Sequence, residues 1–165
     1  MVVSRSPFCS MISENRIVEI FRTRGGGEEF IRPAEHLPSQ QLAYVRTLAQ
    51  GEPIIAKPSV RNEWLVLTKS HLVIECFPQV LRISLEDVES TEIPKHEFLN
   101  RNLKLRGGSL DIGIRGGTSL RVTVEPGGVY FGLLNVLMRF AARNQAIQKA
   151  AEAPTTDDNR PTTQL

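Results

Sequence analysis

Short apolar runs follow one another along the chain after Gly51, and each run is bounded by a proline, glycine, asparagine, serine or charged pair. Several of them alternate apolar and polar positions with a period of two, as strands with one buried face do. The runs are EPIIAKPS, NEWLVLTK, SHLVIECF, QVLRISL, VESTEIP, FLNRNLKLRG, SLDIGIRG and TSLRVTVEP. Regular short strands with tight turns predict an antiparallel meander, and hence a sandwich or a barrel.

Two glycine pairs, Gly107-Gly108 and Gly116-Gly117, each follow an arginine and lie between runs of alternating aliphatic residues. A Gly-Gly pair between two alternating strands predicts a β-hairpin turn. The arginine–glycine boxes that bind RNA are long and repeated, and they lack alternating aliphatic residues. The triplets are therefore interpreted as turns, and no nucleic-acid partner is expected.

One long helix is predicted over residues 125–153, after Pro126 ends the last strand. At about 100° per residue, its apolar residues form one wide face: Val129, Tyr130, Leu133, Val136, Leu137, Phe140, Ala141 and Ile147. Phe131 and Met138 lie off this face. Residues 151–165 are polar, with proline and threonine, and are expected to form a disordered tail.

The N-terminal third gives a weaker pattern. Residues 1–15 are interpreted as a flexible leader, and residues 16–50 as a β-hairpin or arm followed by a short helix. The segment RIVEIF is rich in β-branched and aromatic residues, so a hairpin closing on the glycines at 25–27 is expected, or an arm that pairs with another chain. Ser39 is the expected N-cap of the short helix, and Gly51 and Pro53 end it.

Composition and charge narrow the function classes. The chain has 165 residues, 41% apolar content and a formal net charge of +2, which is too small to indicate a nucleic-acid or membrane-surface protein. Two cysteines cannot form a four-ligand zinc site, and no run has the length of a membrane span or of a signal peptide. A reducing cytoplasm is the expected location.

The region from Gly51 to Ile93 carries a resemblance to a known family. In LVLTKSHLVI, a strand leads through a threonine-centred turn to a second strand, and RISLEDVESTEI gives a strand, a short acidic turn and another strand. This is similar to bacterial PH-like (pleckstrin-homology) and GRAM-like domains, in which a hydrophobic-Leu-Thr-x-x-x-Leu hairpin leads to a Ser-Leu-x-Asp-Val step. The resemblance covers about residues 48–148. It implies a mainly β fold with α, a barrel of about seven antiparallel strands capped by the C-terminal helix over residues 51–150, and no catalysis.

The resemblance also implies a candidate anion site. Eukaryotic members of the superfamily often hold phosphoinositides with lysine and arginine around the first hairpin loop. Here Lys57 and Arg61 flank the first turn and Lys69 lies in the next one. Three cations at one end of a barrel would hold a phosphate through charge-assisted hydrogen bonds. A membrane-surface or anionic-lipid adaptor is therefore the alternative function.

Surplus apolar residues indicate a protein partner or self-association, since exposed apolar patches usually mark an interface. The candidate interface residues are Ile17, Val18, Ile20, Phe21, Phe131 and Met138. The alternative is that residues 16–50 pack over the helix of their own chain. The principal functional interpretation is a non-catalytic interaction module.

Enzymatic chemistry finds little support in the sequence. The histidines His36, His71 and His96 form no metal-binding pair, and no nucleophile–base–orienter triad can be assembled. The cluster Glu86, Asp87 and Glu89 is interpreted as a solvated turn. The glycine-rich segments match neither nucleotide-binding fingerprint, so neither a cofactor nor a metal is expected.

Overall fold

The first sheet is a four-stranded antiparallel meander in the computed structural model, which describes residues 12–24, 30–59, 61, 63–95, 108–125 and 127–153. Its strands pair in sequence order: β1 (Pro53–Pro58), β2 (Trp64–Thr68), β3 (His71–Cys76) and β4 (Gln79–Ser84). Each strand coincides with one predicted apolar run. The outer edge of β1 forms an isolated antiparallel bridge with Ile31, through paired backbone hydrogen bonds to Ala56 of 3.2 and 2.9 Å.

The second sheet has three antiparallel strands in the order β5 (Val88–Glu92), β6 (Gly108–Ile114) and β7 (Thr118–Val124). A 3-10 turn at Leu85–Asp87 connects the two sheets. The predicted antiparallel pairing is thus confirmed for the seven strands that the structure describes. Within the described residues, however, the strands form two separate sheets of four and three rather than a closed barrel. The predicted run FLNRNLKLRG lies outside the described residues.

The main core fills the space between the inner faces of the two sheets. Leu65 and Leu67 of β2 meet Leu110 and Ile112 of β6 in one cluster of buried side chains. Alternation explains this arrangement, because side chains two positions apart in a strand point to the same face. The period-two pattern identified β6 and β7 and their buried faces, whereas β2 is buried on both faces.

The C-terminal helix, α4 (Gly128–Glu152), covers this core, as predicted. Tyr130, Leu133, Leu137 and Phe140 are buried by at least 97%, and the Tyr130 hydroxyl donates a hydrogen bond of 3.0 Å to the Ser109 carbonyl oxygen. Ile147 was also expected on the buried face but is exposed. It lies near the end of the helix, where fewer strands are in reach.

The N-terminal prediction of a hairpin or arm was wrong for residues 16–21. They belong to a helix, α1 (Glu14–Arg24), whose apolar residues recur at positions i, i+1, i+3 and i+4 and pack against α4. The backbone N–H of Arg16 donates a hydrogen bond of 3.3 Å to the Ser13 hydroxyl at the start of the helix. β-branched residues favour strands only weakly, and burial on one helical face outweighs that preference here.

A second apolar cluster lies on the outer face of the first sheet. Two helices, α2 (Pro33–His36) and α3 (Ser39–Ala49), precede β1, and Val45 and Ala49 of α3 pack over Val66 and Val73 of the sheet. The predicted N-cap was wrong by one residue. Pro38 occupies that position, and Ser39 is the first residue of α3.

The Arg82 guanidinium of β4 stabilises the other end of α3, where helix carbonyl groups lack partners. It donates hydrogen bonds of 2.7 and 2.9 Å to the carbonyl oxygens of Ala49 and Leu48. A residue of the fourth strand thus fixes the third helix against the outer face of the sheet.

The glycine pairs have different roles. Gly116 and Gly117 form the turn between β6 and β7 with φ of +93° and +83°, so this predicted hairpin turn is confirmed. Gly108 was predicted to lie in a turn but is the first residue of β6, paired with Val124. A Cβ on Gly108 would lie 2.6 Å from the Tyr130 ring, so glycine permits close packing there.

The described helices include no segment that is both long enough and apolar enough to span a bilayer.

Candidate functional site

A cleft of about 90 Å³ opens where the first sheet meets the end of β7 and the first turn of α4. Strand direction explains which residues meet there. In an antiparallel meander, the end of β1, the start of β2 and the end of β3 lie at the same edge of the sheet. Lys57, Trp64 and Cys76 therefore line the cleft together with Val124 and Val129.

The floor of the cleft is apolar. Leu65 and Ile74 contribute from the first sheet, and Val124 and Val129 from β7 and α4, and all four are buried. Trp64, the single tryptophan of the chain, also lines the cleft and is 8% exposed. Such a floor accepts an apolar side chain or the aliphatic part of a longer one.

The rim of the cleft carries carboxylates. The Glu63 carboxylate accepts a hydrogen bond of 3.1 Å from the backbone N–H of Phe77, and the Glu75 carboxylate accepts one of 3.2 Å from that of Trp64. Glu125 is the third glutamate of the lining. Because backbone donors carry no net charge, they orient Glu63 and Glu75 without neutralising them.

Tyr44 of α3 reaches the same rim. Its hydroxyl donates a hydrogen bond to the Glu75 carboxylate, which joins α3 to the end of β3. This hydrogen bond, together with partial burial and the negative charge of Glu75, raises the pKa of the Tyr44 phenol above its ordinary value. Tyr44 is therefore a neutral hydrogen-bond donor throughout the physiological pH range.

Cys76 is the one thiol on the described part of the chain, and it is free and exposed at the end of β3. Desolvation raises its pKa, and the nearby carboxylates of Glu63 and Glu75 raise it further. A thiol reacts as a nucleophile through its thiolate form. The surroundings of Cys76 therefore keep it protonated at neutral pH and suppress that reactivity.

Exposed apolar side chains gather beside the cleft, around Glu75. Val80 of β4 is the cross-strand partner of Glu75, and Phe77 lies in the turn between β3 and β4. Phe77 is 86% exposed, Val80 49% and Tyr44 47%. We call Tyr44, Glu75, Phe77 and Val80 the Glu75 patch.

The three cations of the candidate anion site do not converge. Lys57 is near the end of β1 and Arg61 follows in the β1–β2 loop, whereas Lys69 lies in the β2–β3 turn at the opposite end of β2. Lys69 lines a different depression, beside Glu14 and Glu52. The sequence interpretation treated successive turns as neighbours, but successive turns of a meander alternate between its two ends.

Four of the candidate interface residues lie in the core of their own chain. None of these four is more than 5% exposed: Ile17, Val18, Ile20 and Phe21. The segment therefore packs on its own chain, which was the alternative that the sequence left open. Phe131 is partly buried, with its ring edge-on to that of Tyr130 at 5.3 Å. Met138 is 51% exposed on α4 and stays available to a partner.

The described residues assemble no recognisable catalytic centre. The Ser70 hydroxyl and His71 Nδ1 are 2.8 Å apart in the exposed β2–β3 turn, but no carboxylate of the described chain orients that imidazole. No three acidic, histidine or cysteine side chains in the described ranges are placed to hold a metal ion. His96 lies outside the described residues.

Sequence reasoning missed the cleft and the Glu75 patch. Tyr44 and Glu75 are 31 positions apart, and Phe77 and Glu63 are 14 apart, so no local motif relates them. The sequence held one signal of the patch. Phe77 precedes Pro78 in a short turn between two strands, and a side chain in such a turn is difficult to bury.

No family model matches this chain, and no curated protein matches it either.

Proposed function

We propose that the chain is a non-catalytic PH-like interaction module that binds another protein chain through the cleft and the Glu75 patch. The PH-like assignment rests on the sequence resemblance, and the order of seven described antiparallel strands followed by a C-terminal helix agrees with it, whereas the implied closed barrel is not seen among the described residues. The Glu75 patch carries the functional proposal. It holds three of the five large apolar side chains exposed on the described surface, and such concentration marks interaction sites.

The charge arrangement favours a protein partner over an anionic membrane surface. Among the described residues, Lys57 shares the cleft with the carboxylates of Glu63 and Glu75, so a phosphate entering there would meet more negative than positive charge. Lys69 is at the far end of β2 and contributes nothing to such a site. Lipid binding through Lys57, Arg61 and Lys69 is therefore the weaker proposal.

The proposed location is the cytoplasm. Cys76 is exposed and unpaired on the surface that we assign to the partner. A reducing compartment keeps such a thiol free, whereas an oxidising one favours disulfides at exposed cysteines.

A site-specific photo-crosslinker tests the proposed function in the full chain. The crosslinking amino acid replaces Phe77 in one variant and the exposed Thr118, at the start of β7, in a matched control. We expect discrete adducts with protein from the position-77 variant in cells of the source organism, and none from the position-118 variant. Identical products from both positions, or none from either, would contradict the proposal.

Two companion measurements separate the alternatives. An adduct of twice the chain mass, with a dimer in light scattering, identifies self-association as the interaction. Co-sedimentation with phosphatidylserine vesicles at low salt, abolished by Lys57→Gln with Arg61→Gln, would instead support the lipid adaptor.

A further inference from the structure

We infer that the partner contributes a basic segment, in which an arginine or lysine adjoins an apolar residue, and that this segment lies across the cleft and the Glu75 patch. The inference rests on the proposed function, because it names the chemistry of the partner that the module binds.

The apolar part of the segment has two places to bind. The cleft floor of Leu65, Ile74 and Val124 is open to a side chain entering past the rim. Phe77 and Val80 stand outside the cleft with much of their surface in water. Covering them removes apolar area from solvent, which favours association and offsets part of its entropy cost.

The carboxylates at the rim of the cleft determine which charge the segment carries. Glu63 and Glu75 are oriented by neutral backbone donors, and Lys57 forms no ion pair within 4 Å with any described carboxylate. Both carboxylates also lie near Cys76, where desolvation raises the pKa of the thiol and their negative charge raises it further. A cation on the partner complements this charge, whereas an acidic segment would be repelled.

Arginine and lysine suit both requirements together. Their aliphatic stems lie along apolar surface while the charged group stays at the edge. A cation also binds favourably over an aromatic face, and Tyr44 and Phe77 present exposed rings beside Glu75. The site therefore favours a long cationic side chain in three ways: apolar contact with its stem, charge attraction to the rim, and contact of the cation with an aromatic face.

Trp64 supplies the readout for a direct test, because the only tryptophan of the chain lines the cleft. The probe is a short peptide in which arginines alternate with leucine and serine, titrated into the full chain while tryptophan fluorescence is recorded. A peptide with glutamate in place of arginine is the charge control. We expect saturable binding of the arginine peptide that weakens with added salt, and no binding of the glutamate peptide.

Two variants locate the binding. Glu63→Gln with Glu75→Gln removes the rim charge at nearly constant shape, and we expect the affinity to fall about tenfold, as for the loss of two surface ion pairs. Glu86→Gln with Glu152→Gln removes the same charge elsewhere, on exposed residues after β4 and at the end of α4, and we expect unchanged affinity. Phe77→Ser, at a position that is 86% exposed and has little packing to lose, should also weaken binding and guards against misfolding of the double variant.

Equal affinity of the arginine peptide for the wild type and for the Glu63/Glu75 and Phe77 variants would overturn the inference, as would equal binding of the glutamate peptide. Protein adducts at position 77 without arginine-peptide binding would refute the basic segment and leave the interaction module standing. Absence of both adducts and peptide binding would refute both.

Discussion

Asn144 illustrates how one polar side chain joins distant parts of this fold. It is 95% buried in α4, and its amide nitrogen donates hydrogen bonds of 2.9 and 2.8 Å to the carbonyl oxygens of Leu85 and Val88. Leu85 begins the connection between the two sheets, and Val88 is the first residue of β5, just before an irregularity in its pairing with β6. The helix therefore supplies hydrogen-bond donors to backbone carbonyl groups where the chain passes from one sheet to the other.

Replacing Asn144 with alanine should lower the free energy of unfolding by about 2 kcal/mol, because it leaves buried carbonyl oxygens without donors. Urea denaturation measures the change. The neighbouring Gln145 is the control. Its amide donates a hydrogen bond of 2.7 Å to the Glu89 carbonyl oxygen in an exposed setting, where water substitutes, so Gln145→Ala should cost about 0.5 kcal/mol or less. Equal losses in the two variants would show that burial is not the cause.

Tyr44 offers a titration that reports the rim of the cleft. The Glu75 carboxylate accepts its hydrogen bond and repels the phenolate, and both effects raise the phenol pKa. Glu75→Gln should therefore lower the pKa of Tyr44 towards its ordinary value. Tyrosinate absorbance during alkaline titration measures this shift, with Tyr44→Phe to identify which of the two tyrosines titrates. An unshifted pKa in the Glu75→Gln variant would contradict the contact.

At the scale of elements, the contact between α1 and α4 decides the N-terminal architecture. Gly132 of α4 faces Phe21 of α1, and a Cβ on that glycine would lie 2.5 Å from the Phe21 ring. A small residue on one helix thus lets a large ring on the other approach closely. Neither residue alone indicates this pairing in the sequence.

Gly132→Ala should destabilise the chain by about 1–3 kcal/mol through overpacking, although alanine favours helix more than glycine does. In a Phe21→Leu background, the loss of the aromatic ring should remove most of that penalty. Thermal or urea unfolding of the four combinations gives the coupling energy of the pair. Gly51→Ala is the control, since nothing lies within 4 Å of the added Cβ. If the changes in unfolding free energy from Gly132→Ala and Phe21→Leu are additive, the contact is contradicted.

The elements differ in how far local patterns predicted them. The strands β1 to β7 follow short apolar runs with bounding turns, with clear alternation in β6 and β7, and α4 follows its long apolar face, so all of them were identified from the sequence. The helix α1 was not, because Ile17, Val18, Ile20 and Phe21 fit a short strand as well as one face of a short helix. Contact with α4 decides between them.

At the scale of the whole molecule, one core unites both sheets with α1 and α4. The same cluster contains Phe21 of α1, Leu67 of the first sheet, Ile112 of the second and Leu137 of α4. No part of this core is complete without the others, so partial unfolding would expose buried apolar surface in both sheets and in α1 and α4.

The described fold should therefore unfold in one cooperative transition. Trp64 fluorescence follows the first sheet, and far-ultraviolet circular dichroism follows mainly the helices, so the two probes should give the same midpoint and slope in urea. Separate midpoints would show that the sheets or the N-terminal helix unfold independently.

The sequence by itself determined the strand-forming runs, the turn at Gly116-Gly117, the C-terminal helix and the buried faces of β6 and β7. These features depend on residues within a few positions of one another, and the periods of two and 3.6 express them directly. The resemblance to PH-like domains follows from the same local runs and stays a proposal.

Only the tertiary structure decided that α1 is a helix, that Lys57 and Lys69 lie at opposite ends of β2, and that Tyr44, Glu75 and Phe77 share one surface. Each of these depends on contacts between segments far apart in the chain. A segment that fits two local conformations equally well adopts the one that buries its apolar side chains. That choice depends on the part of the chain against which the segment packs, and a single sequence does not indicate which part that is.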